Sequence, residues 1–335
     1  MILRTLLLVL FLLTSLTACN SSVEKAFDIA TDNIDRKPIN RDKLGVNAFF
    51  NEPGFGSIDA QYAEIKNTLG INFIRVLFAW DNNVQPSPGD SPNFSFFDDI
   101  IESIPPGVSV VVVLAHTPSW MSNSSNWIEG NPRKTWVERF LRKAVSRYAG
   151  TPGVLAWEIW NEPDLTTSDS DAALELAEPA NYFELLSLGA HVVRTTDPTR
   201  IVLNAATSSI NQDYPDILNY NKTLAALGAT SIVDAWNIHY YGKQFERVVD
   251  GNGIAPFLNS LAKPIWVTES GAQGPNNQLA YVETAWPFLE EEIPGIDLFF
   301  YYNYASTDPL ELNYGLRNND SSSLVSDLYV HLRDG

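Results

Sequence analysis

Val154-Leu155-Ala156-Trp157-Glu158-Ile159-Trp160-Asn161-Glu162-Pro163 is an apolar run of strand length that stops on a carboxylate and a proline. Its β-branched and aromatic content suits a pleated surface, and Pro163 ends it because proline cannot donate to a ladder. A second run, Pro264-Ile265-Trp266-Val267-Thr268-Glu269, stops on a glutamate in the same way. An ionised carboxylate at the end of a buried strand must be paired, hydrogen-bonded or neutralised, so two such placements point to a site.

Outward from these two, runs of the same kind cover residues 44–50, 72–78, 109–115, 201–205, 233–239 and 297–301, and with 154–160 and 265–268 they make eight. Segments 57–69, 98–103, 132–148, 179–195, 214–227, 244–261, 277–291 and 322–332 lie between or after them and have helix length. Alternating strand and helix predicts βα units around a parallel sheet, and eight units predict an α/β fold, a single-domain (β/α)8 TIM barrel over residues 41–335. The rival, an open doubly wound sheet, wants a dinucleotide-type glycine-rich turn after the first strand, and 44–50 lacks it.

In such a barrel, functional groups gather at the C-terminal ends of the strands, where the βα loops form the concave face. Those ends carry Asn47 and Phe49, Arg75 and Trp80, His116, Asn161 and Glu162, His239 and Tyr241, and Glu269. Residues two apart share a strand face, which groups Glu158 with Trp160 and Glu162, Asn237 with His239 and Tyr241, and Ile265 with Val267 and Glu269. An inward Glu158 needs a cation, and Arg75 is the nearest candidate. Strand ends bulge, so parity leaves Tyr240 and Tyr241 both open.

Asn161-Glu162-Pro163 and Thr268-Glu269-Ser270 are where the chain resembles a clan A glycoside hydrolase. Trp157 to Asp164, with His116-Thr117-Pro118-Ser119-Trp120 upstream, is most similar to glycoside hydrolase family 39, with family 5 the second choice. The resemblance implies that Glu162 is a general acid/base, that Glu269 is the nucleophile of a retaining mechanism, and that Asn161 donates to the sugar 2-hydroxyl. It also leads one to expect a tryptophan on the eighth strand. This chain has Phe299-Phe300-Tyr301-Tyr302-Asn303, so Tyr301 or Phe300 is the expected substitute.

Cleavage with retention needs two carboxyl groups about 5–5.5 Å apart in opposite protonation states. Trp160 and the charge of Glu269 would raise the acid, while Arg75 and Tyr241 would keep the nucleophile ionised. Taken singly, each glutamate reads as a cap or a salt-bridged carboxylate; the pair reads as chemistry. His116 and His239 are expected to contact substrate or carboxylate, whereas His191 and His331 fall in helical segments. Trp80, Trp120 and Trp127 fall in active-face loops as candidate sugar platforms, and Trp136, Trp266 and Trp286 read as packing. The reading is a retaining glycoside hydrolase acting on a β-linked oligo- or polysaccharide. Its rival is a carbohydrate-binding surface lipoprotein that kept the barrel and lost turnover.

The first residues belong to another function. Arg4, the apolar stretch after it and Leu16-Thr17-Ala18-Cys19 predict a signal peptide over 1–18, and those four residues resemble a bacterial lipobox, in which Cys19 is acylated. Cys19 is the only cysteine, so an intrachain disulfide is impossible. Residues 19–40 then read as a polar tether, and the chain as a cell-envelope lipoprotein on the periplasmic face or the outer membrane. The formal charge of -18 repels nucleic acid and polyanionic glycans and favours neutral or cationic substrates. Without a Cys/His ligand cluster or a phosphate-binding loop, no metal or cofactor is expected.

Overall fold

The computed structural model describes residues 25–29, 33–318 and 325–335. The signal peptide and Cys19 lie outside them. Eight parallel strands form the barrel: β1 Leu44–Asn47, β2 Phe73–Ala79, β3 Ser109–Ala115, β4 Val154–Ile159, β5 Ile201–Asn204, β6 Trp236–His239, β7 Ile265–Ser270 and β8 Ile296–Tyr301. Their hydrogen-bonded order runs β5-β4-β3-β2-β1-β8-β7-β6. The seam between β5 and β6 is closed by one bridge, Leu203 to Ala235, and by Asn204, whose amide donates to the carbonyls of Ala205 and Asn237 and accepts from Asn237 N–H. A buried asparagine there supplies the bonds that a short ladder leaves open.

Two faces of each strand bury different things. Val111, Ala156, Leu203, Ala235, Trp266, Leu298 and Phe300 fill the barrel lumen, while alternate residues such as Val76, Phe78, Ile238 and Val267 pack outward on the helices. Gly45 pairs across from Phe300, and a Cβ on it would stand 2.5 Å from that ring. A glycine on β1 therefore lets a phenylalanine on β8 fill the lumen.

The crossover helices follow the expected segments, with one break. Segment 244–261 is two helices, Phe245–Val249 and Ile254–Ser260, because Asp250-Gly251-Asn252-Gly253 turns the chain. A Cβ on Gly253 would stand 2.4 Å from the Arg247 carbonyl, so the turn needs glycine there. The described part of the 19–40 segment lies along the helix Gln278–Glu292: Arg36 pairs with Glu283, Lys37 with Glu291, and Lys25 with Glu291 and Glu292. Among the described residues, no helix is long and apolar enough to cross a membrane.

Candidate active site

Arg75 stands at the centre of the C-terminal face. It is 4 % exposed on β2, and its fork reaches Glu158 twice, both at 2.8 Å. Nη1 also donates to Glu269 Oε1 at 2.6 Å and to Asn47 Oδ1 at 2.8 Å, and Nη2 to Asn161 Oδ1 at 2.7 Å. Burial alone would pull its proton affinity down, but Glu158 and Glu269 hold it well above the ordinary value, so it remains a cation at any working pH. Glu158 and Arg75 were paired from sequence; the bonds to Glu269 and Asn161 make one cation orient the ends of β1, β4 and β7 together.

Glu269 reaches the site through an irregularity. Trp266 faces the lumen, so strict alternation would point residue 269 outward with Ile265 and Val267. The β6–β7 ladder shifts register between Ile238 and His239, and the β7–β8 ladder between Val267 and Ser270. This extra residue turns the carboxylate inward, correcting the parity argument. Tyr241 O–H donates to Glu269 Oε2 at 2.9 Å. Burial, then the charge of Glu269, pushes the Tyr241 hydroxyl well up, so it stays a donor. Tyr240, by contrast, is buried and donates to the Lys243 carbonyl, which settles the choice between the two tyrosines.

On β4, alternation fails for another reason. Trp160 and Glu162 have φ of 78° and 47°, and His116 at the end of β3 has 66°. Left-handed backbone costs roughly 1–2 kcal/mol per non-glycine residue and persists where surroundings over-determine it. It swings Trp160 out against Trp136, ring centroids 5.5 Å apart, and leaves both Asn161 and Glu162 facing the site. Glu162 N–H donates to the Ala206 carbonyl at 2.9 Å, tying this turn to the β5 loop.

Between the carboxylates stands His239, fully buried. Its Nδ1 is 3.0 Å from Glu162 Oε1 and its Nε2 3.5 Å from Glu269 Oε1. Burial pushes the imidazole down, yet the charges of Glu269 and Glu162 raise it above its ordinary value. Burial likewise pushes the Glu162 carboxyl up, but the bond from His239 and the charges of His239 and Arg75 bring it below its ordinary value. The sequence argument expected Glu162 to be raised by Trp160 and Glu269. A histidine in hydrogen-bond contact outweighs both.

One carboxylate oxygen of Glu162, one of Glu269 and a nitrogen of His239 lie within 4.8 Å of one another. A small cation would fit that triangle by size. It would also face the Arg75 guanidinium already bonded to Glu269, which disfavours a second positive charge.

The aromatic expectations divide. Trp80 is fully buried, stacked on Phe140, with its indole N–H on Gln85. It follows Val76 and Phe78 on the outward face of β2, so it packs the barrel against a helix and does not line the cleft. Trp120 donates to the Gln85 carbonyl and carries Arg139 on its face, fastening the β3 loop to the β2 loop. Tyr301 is buried, pointing outward with its hydroxyl on the Ala272 carbonyl, and Phe300 lies in the lumen. Neither takes the eighth-strand tryptophan's place. Tyr302, two residues after the lumen-facing Phe300, is half-buried among Phe49, Tyr241 and Tyr314 with ring centroids 5.9–6.3 Å away. Parity from Phe300 was the available signal. A cavity of about 310 Å³ lies along the β1 and β2 loops, lined by Phe49, Leu77, Ala79, Asn51, Asp81 and Phe96.

His116 projects at the rim, its Nδ1 3.2 Å from Asp171 in the β4 loop, a residue the sequence reading did not single out.

A family model for cellulase, glycosyl hydrolase family 5, matches residues 34–304, which spans all eight strands. The chain belongs to glycosyl hydrolase family 5. Of the two families the sequence resembled, the second choice is thus the one whose model matches, and both lie in the same clan. A curated relative of this family 5 chain, mannan endo-1,4-beta-mannosidase A of Aspergillus aculeatus, is 25% identical over 192 residues, 56% of this chain and 48% of the relative. The match therefore spans about half the relative's length. A family 39 glycoside hydrolase from Bacteroides cellulosilyticus WH2 superposes with a TM-score of 0.63 at 17% identity, covering 89% of this chain and 63% of that one. A GH39 enzyme from Xanthomonas axonopodis pv. citri gives 0.62 at 16%, covering 90% and 67%. Family 5 and family 39 barrels thus share the fold seen here.

Proposed function

We propose that this family 5 protein is a retaining glycoside hydrolase of a β-linked polysaccharide. The observation that carries the reading is the separation of Glu162 and Glu269, whose nearest oxygens lie within 4.8 Å. Inverting pairs stand about 6.5–9.5 Å apart to admit a water between acid and sugar, and retaining pairs about 5–5.5 Å.

Glu269 attacks the anomeric carbon as a carboxylate, its charge balanced by Arg75 and one oxygen held by Tyr241. The bond from that carbon to the leaving oxygen breaks, and Glu162 supplies the leaving oxygen with a proton relayed from His239. Glycosylation cancels the charge on Glu269. Glu162, now anionic, takes a proton from water, and the hydroxide oxygen displaces Glu269 from the anomeric carbon. Asn161, anchored by Arg75, is the amide that faces the sugar ring, and Tyr302 is its aromatic floor.

The curated relatives' printed activity makes β-1,4-mannan the first substrate to try, and the cavity at Phe49 offers room for a chain longer than one sugar. The expected result is release of reducing ends from β-mannan, or of phenol from an activated aryl β-glycoside, with Glu269→Ala inactive. Sugar binding without turnover in the wild type, over a panel of β-linked glycans, would make the protein a binding module instead.

The same proposal holds the protein at a bacterial envelope membrane through acylation of Cys19. Lys25 lies beside Glu291 and Glu292, near the end of the helix that leads into the start of β8. An anchor six residues upstream of Lys25 would leave the cleft facing away from lipid. Cys19→Ala should move the protein from the membrane to the soluble fraction, and unchanged fractionation would refute the anchor.

A further inference from the structure

Asp171 belongs to the loop between β4 and the helix Pro179–Thr196, in a short turn of helix capped by Ser168. It is 7 % exposed. Its carboxylate collects His116 Nδ1 at 3.2 Å, Thr117 Oγ1 at 2.8 Å and Thr167 Oγ1 at 2.5 Å, while Asp171 N–H is bonded to Ser168 Oγ at 3.1 Å. Burial pushes the carboxyl up, but the donors, His116 first, bring it below its ordinary value, so the group is ionised. An ionised carboxylate accepts and cannot donate, which places the bridging proton on His116 Nδ1.

In a neutral imidazole so pinned, Nε2 is an acceptor. The His116 side chain is about a third exposed and packs beside Trp160, ring centroids 6.2 Å apart, next to Glu162. The left-handed backbone at His116 is held by Trp136 Nε1, which donates to its carbonyl at 2.9 Å, and by Trp160 N–H on the carbonyl of Leu114. The backbone at His116 is held by these two bonds and its ring nitrogen by Asp171.

We infer that Asp171 is a positioning residue of this site, holding His116 in the Nδ1–H tautomer so that Nε2 accepts a hydrogen bond from a substrate hydroxyl. The role in turnover rests on the glycosidase reading above; the tautomer does not. A purely structural role is the competing account, since Asp171, with Thr117 and Ser170, also laces the β3 loop to the β4 loop.

Nitrogen-15 shifts of the imidazoles, recorded on the wild-type protein at a pH where the ring is neutral, decide the first half. The four histidines are assigned with His116→Gln. A protonated Nδ1 and bare Nε2 at His116 are expected, and the opposite tautomer overturns the inference whether or not the protein turns over. Asp171→Asn should then mix the tautomers and lower kcat/KM about tenfold, the order of loss for an orienting partner of a histidine. Combined with His116→Gln it should add nothing further. Losses that multiply, or an unchanged tautomer with only a lowered Tm, would leave Asp171 a loop staple. If Asp171→Asn does not fold, Thr117→Val and Ser170→Ala serve as the control: removing the staple alone should leave the tautomer and kcat/KM in place, and a tautomer or kcat/KM that changes in these variants would overturn the inference.

Discussion

The ends of β4 and β7 carry the same functional group in different company. Glu269 is bound by Arg75, a cation that does not titrate, and by a tyrosine whose proton is held well beyond neutral pH. Glu162 is bound by His239, which titrates. A nucleophile has one useful state and is given a permanent counter-charge. An acid/base has two, so its partner must be able to lose and regain a proton with it. The contrast in partners is what the proposed roles require.

That contrast can be broken most sharply at Glu162. Glu162→Gln should cost about 10²–10⁴-fold on a substrate with a poor leaving group and much less on an activated aryl glycoside, which departs without a proton. Equal losses on the two would move the acid elsewhere. Arg75→Met comes next, measured by denaturant unfolding. It strands Glu158 and Glu269 without a cation, and one-sided loss of a buried pair costs about 3–5 kcal/mol; a stability near wild type would mean the network is not the anchor described.

His239→Gln sharpens the titratable side. Activity should fall by roughly a hundredfold, the lower end of the acid/base range, and the alkaline limb of the rate profile should move, since the proton it holds is gone. Stability carries the same signature. Glu162, lowered from 4.5, contributes above that value and loses its contribution as pH falls through its folded one. His239, raised from 6.5, contributes fully below that value and loses its contribution as pH rises through its folded one. Tm should therefore be highest between those two values, and His239→Gln should flatten the alkaline decline. An unaltered decline would place the relevant group elsewhere. The smallest effect belongs to Tyr302→Ala, expected to raise KM a few-fold through loss of one ring face at about 0.5–1.5 kcal/mol. An unchanged KM would show that Tyr302 is not the floor.

Much of the site was legible because strands bury apolar side chains and stop where polar ones begin. All eight strands fall on the expected runs, and β3 spans the expected residues from end to end. Glu158 was legible as needing Arg75, since a buried charge must be met. What escaped was at the strand ends. Trp80 looked like a loop residue and is outward-facing core; Tyr301 was one position short of Tyr302. Asp171 carries no local mark at all, being one acidic residue among several in a long loop.

The order of residues along the chain determined the barrel, the two glutamates and the cation that meets Glu158, because hydrophobic periodicity and the cost of burying charge act within a few residues. Only the folded molecule decided which way Glu162 and Glu269 point. Left-handed backbone at Trp160 and Glu162 and the register shifts of β7 override alternation there. Those departures are imposed by ladders and packing from strands far away in sequence, and it is the same closure that puts His239 within reach of both carboxylates.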